Sequence, residues 1–144
     1  MKELLKAIKT HLQADANLSY IRDIDIYITS DDTQIPAAAM FPAIAIKDGS
    51  IRNEQMLARN YLQCAEVRIT VFQRILRPEE SIMGTHGVLA MSGDIVASLI
   101  DQKLPGVQNV FPIAEDPSQS LKDDKQEMIQ KKTITFAYTR HKNW

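Results

Sequence analysis

Two long alternating runs constrain the fold more than anything else in this chain. Ala65, Val67, Ile69 and Val71 alternate with Glu66, Arg68 and Thr70 within residues 61–73. Ile134, Phe136 and Tyr138 alternate with Thr133, Thr135, Ala137 and Thr139 within residues 128–139. A period of two places successive side chains on opposite sides of a strand, so each run buries one face and wets the other. Two half-buried strands need a sheet, and the sheet needs an apolar cover. Phe72 falls on the polar side of its strand and is expected to meet a neighbouring element there.

Helices supply the cover. Leu4, Leu5, Ile8 and Leu12 form one stripe on a first helix that Asp15 and Asn17 should stop near residues 14–16. Pro78, Glu79 and Glu80 read as the first turn of a second helix, with proline at its opening position and acids against the positive end of the dipole. Val88, Leu89, Ile95, Val96, Leu99 and Ile100 give that helix a broad apolar face. Gly84, Gly87 and Gly93 each cost it about 1 kcal/mol relative to alanine, which implies a break near residues 84–87 or close packing on the sheet. Leu104, Pro105 and Gly106 end it.

Further strands are expected at residues 24–28, at 42–47 and at 107–113, the last interrupted by Pro112. Asp48, Gly49 and Ser50 read as a turn, and residues 51–60 as a loop or bent lead-in to the next strand. Residues 30–41, around Ala37, Ala38 and Ala39, and residues 114–127 read as long polar excursions of the kind that carry binding on a scaffold. The expectation is a single α+β domain over residues 1–144, in the order α–β–β–β–α–β–β. Its sheet should be mostly antiparallel, with two main helices packed on one face.

Composition adds exclusions. With 144 residues, 44% hydrophobic and 24% charged, the chain can bury a real core. Its 17 basic and 18 acidic residues are interspersed, so no field steers it to nucleic acid or anionic membrane, and Arg140, His141 and Lys142 are too few to make a basic patch. Cys64 is the single cysteine, which suits a reducing compartment. Neither a signal-peptide core nor an unbroken apolar run of roughly 18–20 residues is read, so a cytosolic, non-membrane chain is expected.

Catalytic patterns are thin. His11, His86 and His141 are not spaced as metal ligands, and no cysteine pair assists them. His86 with Glu79 or Glu80 is the one acid–base candidate, and Cys64 reads as a small buried hydrophobe. Ser92, Gly93 and Asp94 lack the spacing of a nucleophile elbow. Gly84-Thr85-His86-Gly87 matches a glycine-x-x-glycine clamp only in its bare letters. The carboxylate pairs Asp31-Asp32 and Asp123-Asp124 read as solvated loops. No catalytic, metal or cofactor site is expected.

The layout resembles a known family. It rests on an amphipathic first helix, the segment Phe41-Pro42-Ala43-Ile44-Ala45-Ile46, the run from Glu66 to Phe72, the helical stretch from Asp94 to Ile100 and the closing run from Thr133 to Arg140. In this order the chain, over roughly residues 1–140, is similar to the tail terminator (tail completion) proteins of long-tailed bacteriophages and related contractile systems. The resemblance implies a homo-hexameric ring at the tail–neck junction of a virion, assembled in the host cytoplasm. The ring would cap the tail tube, end its polymerisation and present a surface to the head–neck connector, with the sheath protein a further partner in a contractile tail. It implies no catalytic residue, no cofactor, no membrane and no sequence-specific nucleic-acid contact. On this reading segments 48–60 and 114–127 carry the contacts through Arg52, Glu54, Arg59, Pro117, Gln119, Lys122, Asp123 and Lys125. Alternatives are a connector or stopper subunit of the neck, a monomeric adaptor, and a small enzyme built on His86.

Overall fold

The computed structural model describes residues 1–33, 40–100, 104, 106–122 and 128–143, the last of these by its backbone alone. Helix α1 (Lys2–Ala14) leads to two short 3₁₀ turns and strand β1 (Ile26–Ile28). Strands β2 (Ala43–Gln55) and β3 (Asn60–Arg74) follow as a long hairpin, then helices α2 (Pro78–Met83) and α3 (Val88–Ile100). Strands β4 (Val107–Glu115), β5 (Gln119–Lys122) and β6 (Met128–Asn143) complete one sheet in the order β1-β2-β3-β6-β4, with β5 also on β6.

The architecture is α+β, and every strand pair is antiparallel except β1 with β2. That parallel pair is the exception to the turn-joined neighbours expected. The two alternating runs lie side by side, Val67 opposite Phe136 and Ile69 opposite Ile134, so their dry faces coincide. Against them pack Leu4, Leu5, Ile8 and Leu12 of α1 and Val88, Met91, Ile95 and Leu99 of α3. The first helix ends where expected: the Asp15 N–H donates to the Leu12 carbonyl, and its carboxylate accepts from the Asn17 N–H to open the next turn.

The second helix is broken. Gly84 and Gly87 lie between α2 and α3, and a Cβ on Gly87 would stand 2.7 Å from the Ile82 carbonyl oxygen, so only glycine lets the chain turn there. Residues 78–100 are together long and apolar enough to cross a bilayer, contrary to the expectation of no such stretch. The break and the burial of Val88, Met91, Ile95 and Leu99 make α3 a core helix. Pro105 lies outside the described residues, and Gly106 has a φ of 77°, a left-handed value suited to glycine.

Three sequence expectations change. Ile24 does not enter a strand, because residues 23–25 form a 3₁₀ turn and its side chain is exposed. The turn is pinned by Asp25, whose carboxylate accepts from Arg22 Nε at 2.6 Å and from the Met40 N–H at 3.1 Å. Residues 48–60 are not a loop. β2 continues through a bulge between Asp48 and Ile51 to the hairpin turn after Gln55, and at the bulge a Cβ on Gly49 would press to 2.9 Å from the Glu66 carbonyl oxygen. Residues 114–127 are not one polar loop either, because β4 reaches Glu115 and β5 pairs with residues 128–131 of β6. Residues 51–55 are mostly polar because both faces of the strand meet water there, and in β5 only Leu121 turns inward, while residues 123–127 lie outside the described ones.

The sheet's other face is partly covered too. Phe72 is fully buried there with Ala43, Ala45 and Ile129, beneath Tyr27, Phe41 and Leu121, so its odd phase marks a second small core. Arg68 reaches across that face to Asp32, with Nε 2.9 Å from the carboxylate. Burial, with Asp25 adding to it, pushes the Tyr27 hydroxyl up to about 12.

Candidate interaction surfaces

The hairpin of β2 and β3 projects as an arm, and residues 51–60 are all exposed. The far end of β6 braces it by pairing with residues 60–63 of β3. A polar ladder crosses its three strands in register. Arg140 on β6 donates from Nη2 to Gln63 Oε1, and Gln63 Nε2 donates to Asn53 Oδ1 at 3.1 Å. The Arg140 guanidinium is buried and has no carboxylate partner among the described residues. Desolvation lowers its pKa from the usual guanidinium value. At the tip Ala58 adopts a φ of 58°, and Leu57 beside it is 87% exposed.

Arg52 and Glu54 stand on β2 in this arm, and Arg59 sits in its turn. Pro117 occupies the break between β4 and β5 on the opposite edge, and Gln119 and Lys122 follow on β5. Asp123 and Lys125 lie outside the described residues. The expected contact residues therefore fall on two separate edges of one sheet. The second edge holds a small cleft of about 150 Å³ lined by Arg68, Asp116, Pro117, Gln119, Lys131 and Thr133. Lys132 Nζ donates to the Asp116 carbonyl oxygen there at 2.8 Å, and the Asp116 N–H donates to Thr133. Along β4, Phe111 is 60% exposed and Ile113 46%. The apolar strand expected at residues 107–113 is there as β4, an edge strand with a bulge between Pro112 and Ala114.

The acid–base candidate does not assemble. The His86 ring stacks on Tyr20 with centroids 4.1 Å apart, and its carbonyl accepts from Gln73 at 2.7 Å. Glu80 shares a cleft of about 450 Å³ with His86 but lies 3.6 Å from Arg77 Nη1. Cys64 is half-buried on β3, between Arg52 and Thr139 in register. Among the described residues no group of three or more His, Cys, Asp or Glu is placed to hold a metal.

A contact that sequence spacing could not reveal joins α1 to α3. His11 Nε2 lies 2.9 Å from Ser98 Oγ and 3.1 Å from the Ser98 carbonyl oxygen, in a cleft of about 500 Å³ with Asp15 and Asp94. The contact to the carbonyl is a hydrogen bond in the tautomer that carries its proton on Nε2, since a carbonyl only accepts. The Ser98 hydroxyl holds the Asp15 carboxyl below the usual carboxylate range. Wired this way the cluster is a clamp between helices. The residues involved are 87 positions apart, and no local motif announces them.

No protein-family model matches the chain, and no curated protein matches it either. Among solved structures, a chain of the virion of a native gene transfer agent particle is similar in fold, with a TM-score of 0.60 and 13% identity. The likeness covers 95% of this chain and 94% of that one, so the two folds correspond from end to end.

Proposed function

We propose that this chain is a structural protein of a phage-like virion, and within that class a tail terminator. In this reading copies of the chain, six to a ring, close at the tail–neck junction, cap the tail tube protein and end its polymerisation. They then present a surface to the head–neck connector, beside the sheath if the tail contracts. The observation that carries the reading is the end-to-end fold likeness to a chain of a gene transfer agent virion. A non-enzymatic role agrees with a His86 that stacks on Tyr20 and a Glu80 that faces Arg77.

The sheet offers the two unlike surfaces that a ring requires, since a head-to-tail contact closes only when one patch fits a different patch on the next copy. The arm bearing Arg52, Glu54 and Arg59 seats by its tip against the neighbour's far edge, around Pro117, Gln119 and Lys122. That docking covers Leu57 on one side and Phe111 and Ile113 on the other, all of them exposed in the single chain.

Native mass spectrometry and negative-stain imaging of the purified chain, alone and with tail tubes, test this. Six-copy rings seated on tube ends are expected, and Leu57→Asp should prevent them while leaving the melting temperature unchanged. A chain that never exceeds two copies and leaves tube ends bare would refute it. Deleting residues 117–126 is a poor test, because it removes β5 and with it Leu121 from the second core.

A further inference from the structure

The arm has an outer edge as well as a tip. β1 covers β2 only at Ile44, Ala45 and Ile46, and beyond them no described strand lies on the side of β2 away from β3. The hairpin bond from the Met56 N–H to the Asn60 carbonyl sets the alternation along the arm. Counting back through the register, Ile51, Asn53 and Gln55 are the residues that turn backbone N–H and C=O outward. Sheets blunt such edges with lysine, proline or bulges, and β4 has a proline and two register shifts. The run from Ile51 to Gln55 has none of these.

The side chains of this run complement themselves. Antiparallel pairing of two copies about Asn53 sets Arg52 of each opposite Glu54 of the other. Arg52 and Glu54 share one face of the strand, both are exposed, and neither has an ion-pair partner among the described residues. Asn53 stands on the opposite face. Its Oδ1 accepts one hydrogen bond from Gln63, leaving one lone pair and both Nδ2 hydrogens. Two facing Asn53 amides can therefore each donate once and accept once, extending the Arg140–Gln63–Asn53 ladder into a second copy.

We infer that residues 51–55 form a self-complementary edge through which two copies of this chain pair antiparallel about a two-fold axis at Asn53. Such a contact closes at two copies and cannot propagate around a ring, so it stands apart from the ring proposed above. Five residues a side fall well short of an ordinary interface, and the dimer is accordingly weak, forming at about tens to hundreds of micromolar.

Sedimentation equilibrium of the wild-type chain, Arg52→Glu, Glu54→Arg and the double variant tests it. The wild type should show a two-copy species. Each single reversal replaces two opposite-charge pairs with two like-charge pairs and should weaken it about tenfold. The double variant restores opposite charges and should recover wild-type association to within about twofold. Asn53→Pro removes an outward N–H and should abolish it, with circular dichroism confirming the fold. Absence of a wild-type dimer, or a double variant as weak as the singles, overturns the inference. Larger assemblies indifferent to every charge variant, with no dimer, overturn this edge and leave the ring standing. Charge-dependent dimers with nothing larger support the edge and count against the ring.

Discussion

Replacing Phe72 with alanine tests whether the sheet has two dry faces. By strand phase Phe72 belongs with Glu66, Arg68 and Thr70, where a phenylalanine would be wet and its truncation nearly neutral. In the structure it is fully buried against Ala43, Ala45 and Ile129, under Tyr27, Phe41 and Leu121. Truncating a fully buried phenylalanine removes its transfer free energy and leaves a cavity, at a cost of about 3–5 kcal/mol. With a urea m-value of about 2 kcal/mol/M, the unfolding midpoint should fall by about 1.5–2.5 M. The melting temperature should fall by roughly 10 °C for a chain of this size. Phe111→Ala is the internal reference, because Phe111 is 60% exposed and its loss should change stability by at most about 0.5 kcal/mol. Urea titrations of both variants, followed by circular dichroism and tryptophan fluorescence, give the comparison. A Phe72→Ala cost below about 1 kcal/mol, or one equal to that of Phe111→Ala, would show that the second face is wet.

Other perturbations separate local causes. Thr70 and Thr133 share a buried hydroxyl–hydroxyl bond of 2.9 Å, so Thr133→Val alone should cost about 1–3 kcal/mol while the double valine variant is nearly neutral, a cycle read by urea titration. Burial alone would raise the pKa of Asp25, but hydrogen bonds from Arg22 and the Met40 N–H outweigh it and hold it below 3.8. A depressed carboxylate stabilises fully above its unfolded value and loses that contribution as pH falls through the folded one. Acid unfolding monitored below about pH 4 should therefore begin at higher pH in Arg22→Ala, and an unchanged acid limb would sink this account. Ser98→Ala removes the hydroxyl from the His11–Asp15 clamp and should cost about 0.5–1.5 kcal/mol in a thermal or urea melt.

Where side chains meet a core, the sequence is readable. The α1 stripe, the alternation through Val67 and Val71 and the closing alternation through Phe136 are all placed as their periods require, because each turns its apolar side chains into the core between helices and sheet. Legibility fails where burial does not divide a segment. Ile51-Arg52-Asn53-Glu54-Gln55 is a strand with both faces in water, so no period marks it, and in four-residue β5 only Leu121 turns inward, too little to show a period. The parallel pairing of β1 with β2 is a matter of strand direction, which the residues of β1 do not encode. Arg52, Glu54 and Arg59 could be nominated from their polarity, but their separation from Pro117, Gln119 and Lys122 by the width of a sheet depends on strand order. His11 and Ser98 meet only because α1 and α3 lie on the same face.

β6 is the longest strand, and it follows every strand it joins. It lies between β3 and β4 and also carries β5, so three pairings wait on residues synthesised after all three partners. On the ribosome the β2–β3 hairpin emerges with one long side of β3 unsatisfied, and that side stays open for more than 50 residues of further translation. The sheet therefore closes only once residues 128–143 have been made, through contacts far apart in sequence, which is a slow topology. During that interval Val67, Ile69 and Val71 have no cross-strand neighbour on that side. A nascent chain stalled before residue 128 would expose an apolar strand edge, making translation rate and holding chaperones determinants of yield.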